Sequence, residues 1–147
     1  LEDIINQAVK KLPIPKVMRW GSSTHTFVRP VHGLVVMHGA DTVAANVLGL
    51  QSRNHTLGHR FLSQDEVVFA HADEYADKMR DAGKVIASFA DRKAAIQTAL
   101  NEQAGRLNAT VAADEALLDE VAALVEWPVV LEAGFGQPVE PQSLNNF

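Results

Sequence analysis

A polar stretch from Gln51 to Ser63 carries Arg53, His55, His59 and Arg60, with Gly58 among them. No other part of the chain is as well supplied for chemistry. Guanidinium and imidazole groups on a loop can donate to phosphate oxygens, and a histidine ring can stack on a base or ribose. Arginine is equally suited to clamping a carboxylate inside a protein or at an interface. Phosphate and carboxylate therefore both stand as partners for Arg53, His59 and Arg60, with Lys16, Arg19 and Arg29 upstream as weaker candidates for the same anion.

Other chemistries find less support. His55 and His59 stand four apart, a spacing that serves two nitrogen ligands on a helix, but the segment has no helical pattern and lacks the glutamate of H-E-x-x-H. His25, His32, His38 and His71 add no spacing that singles out one metal site, so no metal is expected. The absence of cysteine excludes disulfides and thiolate sites. Phosphate-binding, dinucleotide-binding and nucleophile-elbow glycine motifs are missing. The acidic pairs Asp114-Glu115 and Asp119-Glu120 are helix neighbours that point in different directions and read as solvated, so no catalytic residue is expected. His32 and His38 share even spacing with Leu34 and Val36 on a predicted strand and are expected to be partly buried and hydrogen-bonded. Trp20 and Trp127 read as core or interface anchors.

The net charge of −5 over 147 residues conceals a split. Residues 1–64 hold seven Lys/Arg against three acids, +4, and the remainder holds six against fifteen, −9. Such a split can steer a polyanion to one face, or mean only that solvated acidic helices follow a sheet-rich region. The longest apolar runs, Val31 to Met37 and Val121 to Val125, fall far short of the roughly 20 residues of a membrane span, so no membrane partner is expected. The first residues lack the layout of a signal peptide, and the chain, starting at Leu1, reads as a fragment.

With 47% hydrophobic residues, one domain over 1–135 can bury a proper core, followed by an irregular tail over 136–147. Ile4, Ile5, Ala8 and Leu12 repeat at helical spacing until Pro13 and Pro15 force an extended linker. The β-branched run Phe27 to Met37, with Pro30 near its start, and the run Thr42 to Leu50 predict a hairpin about Gly39-Ala40-Asp41. Gln51 to Ser63 reads as a loop rejoining the sheet at Glu66 to Ala70. Gly58 permits a tight backbone there and Phe61 is expected to anchor the loop in the core. Three helices follow. The first, over Asp73 to Ala82, faces inward through Tyr75, Ala76 and Met79 and stops at Gly83. The second, capped by Ser88 with Asp91 three residues on, carries a stripe of Phe89, Ile96, Leu100 and Leu107. The third begins at Asp114-Glu115, faces inward through Leu117, Leu118, Val121, Leu124 and Val125, and ends at Pro128, with a strand expected over Val129 to Leu131. The class is α+β, a mixed or mostly antiparallel sheet from the first half packed by about three helices from the second.

L-P-I-P-K-x-M-R-W-G at Leu12 to Gly21, F-V-R-P-V-H at Phe27 to His32, L-G-H-R-F at Leu57 to Phe61 and L-V-E-W-P-V at Leu124 to Val129 form a series. With V-L-G-L at Val47 to Leu50 and G-K-V-I-A-S-F-A-D-R-K at Gly83 to Lys93, their order resembles the β-subunit of bacterial two-subunit glycyl-tRNA synthetase. The resemblance runs to about Phe135. It departs at Leu57, where that family often carries Arg, and at Gly33, where a larger residue is usual. The resemblance implies a cytoplasmic α2β2 enzyme whose α-subunit activates glycine with ATP and magnesium, with no cofactor in this fragment. It further implies tRNA for glycine, the α-subunit and the remaining β-subunit domains as partners, and a fold similar to the editing domain of the phenylalanyl-tRNA synthetase β-subunit. Fold similarity carries no editing activity with it, and the implied role is non-catalytic binding or positioning of tRNA; a structural spacer for β-domain or α-β assembly is the alternative, and an editing-type hydrolase, suggested by fold analogy alone, stands behind both.

Overall fold

Pro13 and Pro15 set the first boundary, because proline removes a donor and pushes the preceding residue out of helical space. In the computed structural model, which describes residues 1–112 and 114–134, helix α1 (Glu2–Lys11) stops short of them at an extended Leu12. Glu2 and Asp3 at its start and Lys10 and Lys11 at its end complement the helix dipole. No residue of α1 is buried, and Ile4 is exposed. Polar bonds hold it instead: the Glu2 carboxylate accepts from the Asn46 N–H at 2.9 Å, and the Asn6 amide donates to the Asn46 carbonyl at 2.9 Å.

The expected antiparallel pairing is present, divided among four two-stranded ladders. β1 (Met18–Arg19) pairs with β2 (Thr26–Phe27), β3 (Met37–His38) with β4 (Asp41–Thr42), β5 (Asn46–Val47) with β6 (Leu50–Gln51), and β7 (His55–Leu57) with β8 (Glu66–Val68). An isolated parallel bridge joins Val35 to Arg53. The hairpin about Gly39 therefore forms with shorter arms than expected. Pro30 and Gly33 interrupt the first arm, so Phe27 pairs backward with Met18. Leu48 and Gly49, at φ 53° and 78°, reverse the second arm. Positive φ at both central residues gives the turn that matches strand twist, and Leu48 bears its conformational cost.

Gln51 to Ser63 is not all loop, since His55–Leu57 pairs with Glu66–Val68, although the return at Glu66 is as expected. His32 and His38 are exposed, because Val35 and Met37, of the opposite parity, are the residues that pack against the core.

The helices follow their capping signals. A 3₁₀ turn (Ala72–Glu74) leads into α2 (Tyr75–Asp81), which buries Met79 while Tyr75 and Ala76 stay exposed. In α3 (Phe89–Arg106) the Ser88 hydroxyl accepts from the Asp91 N–H at 3.2 Å. Asn108 at φ 50° ends it, with the Ala109 N–H bonded back to the Ala104 carbonyl at 2.9 Å. In α4 (Glu115–Leu124) Asp114 accepts from the Ala116 N–H at 2.9 Å. Of the two apolar stripes only part is buried: Ile96 and Leu118 are inside, joined by Ala122 from outside the expected stripe, whereas Phe89, Leu107, Leu117 and Leu124 are exposed. Val129 to Leu131 is not a strand. Residues 136–147 lie outside the described part.

The burial resolves into two clusters where one core was expected. Val67, Phe69 and Met79, with Val35, Met37 and Val85, join β8 to α2. Ile96, Leu118 and Ala122, with Leu100 and Val121, join α3 to α4. The segment 83–87 links them. The Ile86 N–H donates to the Glu126 carbonyl at 3.0 Å, and Arg92 donates to the carbonyls of Ile86, Ala87 and Ala122 at 2.7, 3.0 and 3.0 Å.

Phe69, 1% exposed, is the largest fully buried side chain. Phe69→Ala is expected to cost about 3–5 kcal/mol in urea unfolding. Glu74 supplies a pH dependence. Its carboxylate accepts from Lys78 Nζ at 2.8 Å and from the Ala70 N–H at 2.9 Å. These partners, Lys78 first, hold its carboxyl below the ordinary 4.5. A lowered folded value means that the stabilisation is present above the ordinary value and is lost as pH falls through the folded one. The urea midpoint of Glu74→Gln should fall less steeply than that of the parent on acidification below about pH 5.

Candidate nucleic-acid interface

The turn after β7 is built on the close approach of two glycines. A Cβ placed on Gly58 would lie 2.4 Å from the Gly83 carbonyl oxygen and 2.5 Å from its Cα, so no side chain fits. The next residue uses that proximity: the His59 N–H donates to the Gly83 carbonyl at 2.6 Å. Gly83 is pressed in turn against α2, where its own Cβ would meet the Met79 carbonyl oxygen at 2.8 Å. The positive φ at this helix end belongs to Lys84, at 52°. Space, rather than backbone conformation, is what demands glycine at 83.

His59 braces the turn from inside. Its Nδ1 accepts from the backbone N–H groups of Phe61 at 3.2 Å and Leu62 at 3.3 Å, while its carbonyl accepts from the Ser63 N–H at 3.0 Å. An accepting Nδ1 carries no proton, so the neutral ring is protonated at Nε2. His59 is thus occupied with backbone, and Arg60 and Phe61 are what the turn presents.

Phe61 does not anchor the loop: it is 82% exposed. The donors that bind His59 fix its backbone outward. The Arg60 guanidinium sits 5.8 Å from the Phe61 ring centroid, an exposed cation beside an exposed aromatic face. Sequence reasoning missed this pairing, although a large aromatic in a polar loop was the available signal.

The structure does not bring Arg53 to that surface. Its backbone N–H donates to the Leu34 carbonyl at 2.9 Å, and its side chain lies against Gly33, with Nη2 2.6 Å from where a Cβ would be. The Arg53 Nε is buried and has no partner among the described residues. A larger residue at 33 would have to displace this guanidinium.

Lys16, Arg19 and Arg29 belong to the β1/β2 ribbon and its flanks, all exposed. Arg19 is registered opposite Thr26, and Lys16 and Arg29 lie just outside the paired residues. Arg29 donates only to its neighbouring Val28 carbonyl, at 3.3 Å.

Three of the six Lys and Arg of the second half pair with carboxylates, and Arg92 donates to backbone carbonyls. Lys78 pairs with Glu74, Arg80 with Asp77 and Asp81, and Lys93 with Glu115 at 2.5 Å and Asp119 at 2.6 Å. Asp119 foremost, and then Glu115, raises the Lys93 pKa. These two acids are not merely solvated: they pin α4 to α3. Among the described residues every Lys or Arg paired with a carboxylate lies in the second half.

Fold and site together define an α+β module whose carboxylate-paired cations lie on α2 and α3 and whose Lys16, Arg19, Arg29 and Arg60 lie exposed on a ribbon, its flanks and a turn. The family described as glycyl-tRNA synthetase beta subunit matches residues 1–138. The glycine-tRNA ligase beta subunit of Neisseria gonorrhoeae (strain NCCP11945) is 79% identical over 135 residues, 92% of this chain and 20% of that protein. The protein of the same description from Neisseria meningitidis serogroup C (strain 053442) is 78% identical, and that from Actinobacillus pleuropneumoniae serotype 7 (strain AP76) is 46% identical, over the same shares. The chain belongs to the glycyl-tRNA synthetase beta subunit family. It spans about one fifth of the length of these relatives.

Gly58→Ala is expected to cost at least about 2 kcal/mol, read as a lower thermal midpoint, because backbone and not a flexible side chain must give way. Leu57→Ala, at an exposed neighbour, should stay within about 0.5 kcal/mol. Nitrogen NMR of the folded protein should find His59 as the Nε2-protonated tautomer, and a protonated Nδ1 would contradict the brace.

Proposed function

We propose that this chain is a tRNA-contacting module of a glycine-tRNA ligase, without catalytic residues of its own. One observation carries the reading. Lys16, Arg19, Arg29 and Arg60 are exposed and have no carboxylate partner among the described residues, whereas Lys78, Arg80 and Lys93 of the acidic half are paired with carboxylates and Arg92 is spent on backbone carbonyls. A cation left unpaired and exposed is free to replace the counterions of a nucleic-acid backbone. Phe61 beside Arg60 adds a ring on which an unstacked base can lie. In this reading the whole enzyme attaches glycine to its tRNA in the cytoplasm, and ATP and magnesium act at the α-subunit. Arg53 and His59 support the module from within and leave phosphate contact to Arg60 and the β1/β2 ribbon.

The test is tRNA binding by the complete enzyme as salt is varied. Arg60→Ala and Arg29→Ala should each weaken binding and reduce the slope of log affinity against log salt by about 0.7–0.9. Phe61→Leu should weaken binding with the slope unchanged, because it removes a stacking face and no charge. Arg53→Met should leave affinity and slope as they are. If Arg60→Ala binds tRNA with unaltered affinity and slope in a normally folded enzyme, the reading is wrong. If the same variant instead loses subunit assembly, the structural spacer takes its place.

A further inference from the structure

Helix α4 carries more apolar surface than α3 can cover. Leu118 and Ala122 are buried against α3. One residue earlier, about 100° round the helix, Leu117 is 58% exposed, and two turns on Leu124 is 76% exposed. Between these faces runs a groove of about 410 Å³, lined by Ile96 and Leu100 of α3 and Leu117 and Val121 of α4, and bordered by Pro128 and Val129. Among the described residues two helices leave such a groove half roofed, and a third apolar face completes the packing.

We infer that this groove receives an amphipathic helix from the part of the same subunit that lies outside residues 1–147. Its apolar stripe meets Leu117, Val121 and Leu124, and its flank carries a Lys or Arg. The relatives matched along 92% of this chain are about five times longer than the match, so the subunit has ample sequence to supply the helix. Charge fixes the flank. Lys93 is already held by Glu115 and Asp119, whereas Glu120, three residues after Leu117 and four before Leu124, borders the open stripe with no cation among the described residues. The same acidic rim argues against tRNA here, and against a second copy of this face, which would set two such rims together. The groove is independent of the cationic surface, so the inference does not rest on tRNA contact.

The chain contains no cysteine, which makes labelling clean within it. In the full-length subunit alone, Leu117→Cys and Leu124→Cys should react with a maleimide at least about tenfold more slowly than Ala123→Cys on the exposed side of α4, as quantified by peptide mass spectrometry. Adding Glu120→Lys to Leu117→Cys should restore labelling severalfold, and unchanged labelling overturns the basic flank. Equal rates at 117, 124 and 123 overturn the docked helix. So does shielding that appears only when the other subunit or tRNA is added, or only as the subunit's own concentration rises, because the occupant is then another molecule.

Discussion

The rest of this structure depends on one contact between two backbones, Gly58 against Gly83. No side-chain atom takes part, so the surfaces meet at a distance no other residue pair allows. The contact docks the turn after β7 onto the end of α2, and the His59 N–H seals it with a bond to Gly83. From Gly83 the chain runs directly into the 84–87 segment, whose carbonyls Arg92 holds. The position of Arg60 and Phe61 and the junction between the two clusters thus share one origin.

Much of the local structure was legible because it is local. Pro13 and Pro15, Ser88 with Asp91, and Asp114 act on backbone groups within four residues, and each ends or starts a helix where its chemistry requires. The tight backbone at Gly58 was legible as a property, but its partner 25 residues downstream was not. Arg53 and Arg60 look alike in the sequence, yet one folds against Gly33 and the other faces outward, a choice made by the parallel bridge at Val35 and by the His59 brace. The fragmented sheet escaped for a related reason. β-propensity scores each run by itself, whereas Pro30, Gly33 and the reversal at Leu48-Gly49 decide how long any run can pair.

The charge split takes on a sharper meaning beside the contacts. The excess of acid in the second half coexists with ion pairs that use Lys78, Arg80 and Lys93. In the first half Glu2 is engaged with Asn46, which leaves the positive excess uncompensated by near neighbours. The first half thus leaves exposed cations and the second exposed acids beside apolar residues of α4, and the two offer themselves to chemically different surfaces.

Two small clusters are tied by one short segment. The amides of His59 and Ile86, whose acceptors Gly83 and Glu126 lie in segments remote along the chain, fasten that segment to the turn after β7 on one side and to the end of α4 on the other. Solvent exchange at these two positions would therefore report how firmly the segment is held at each end.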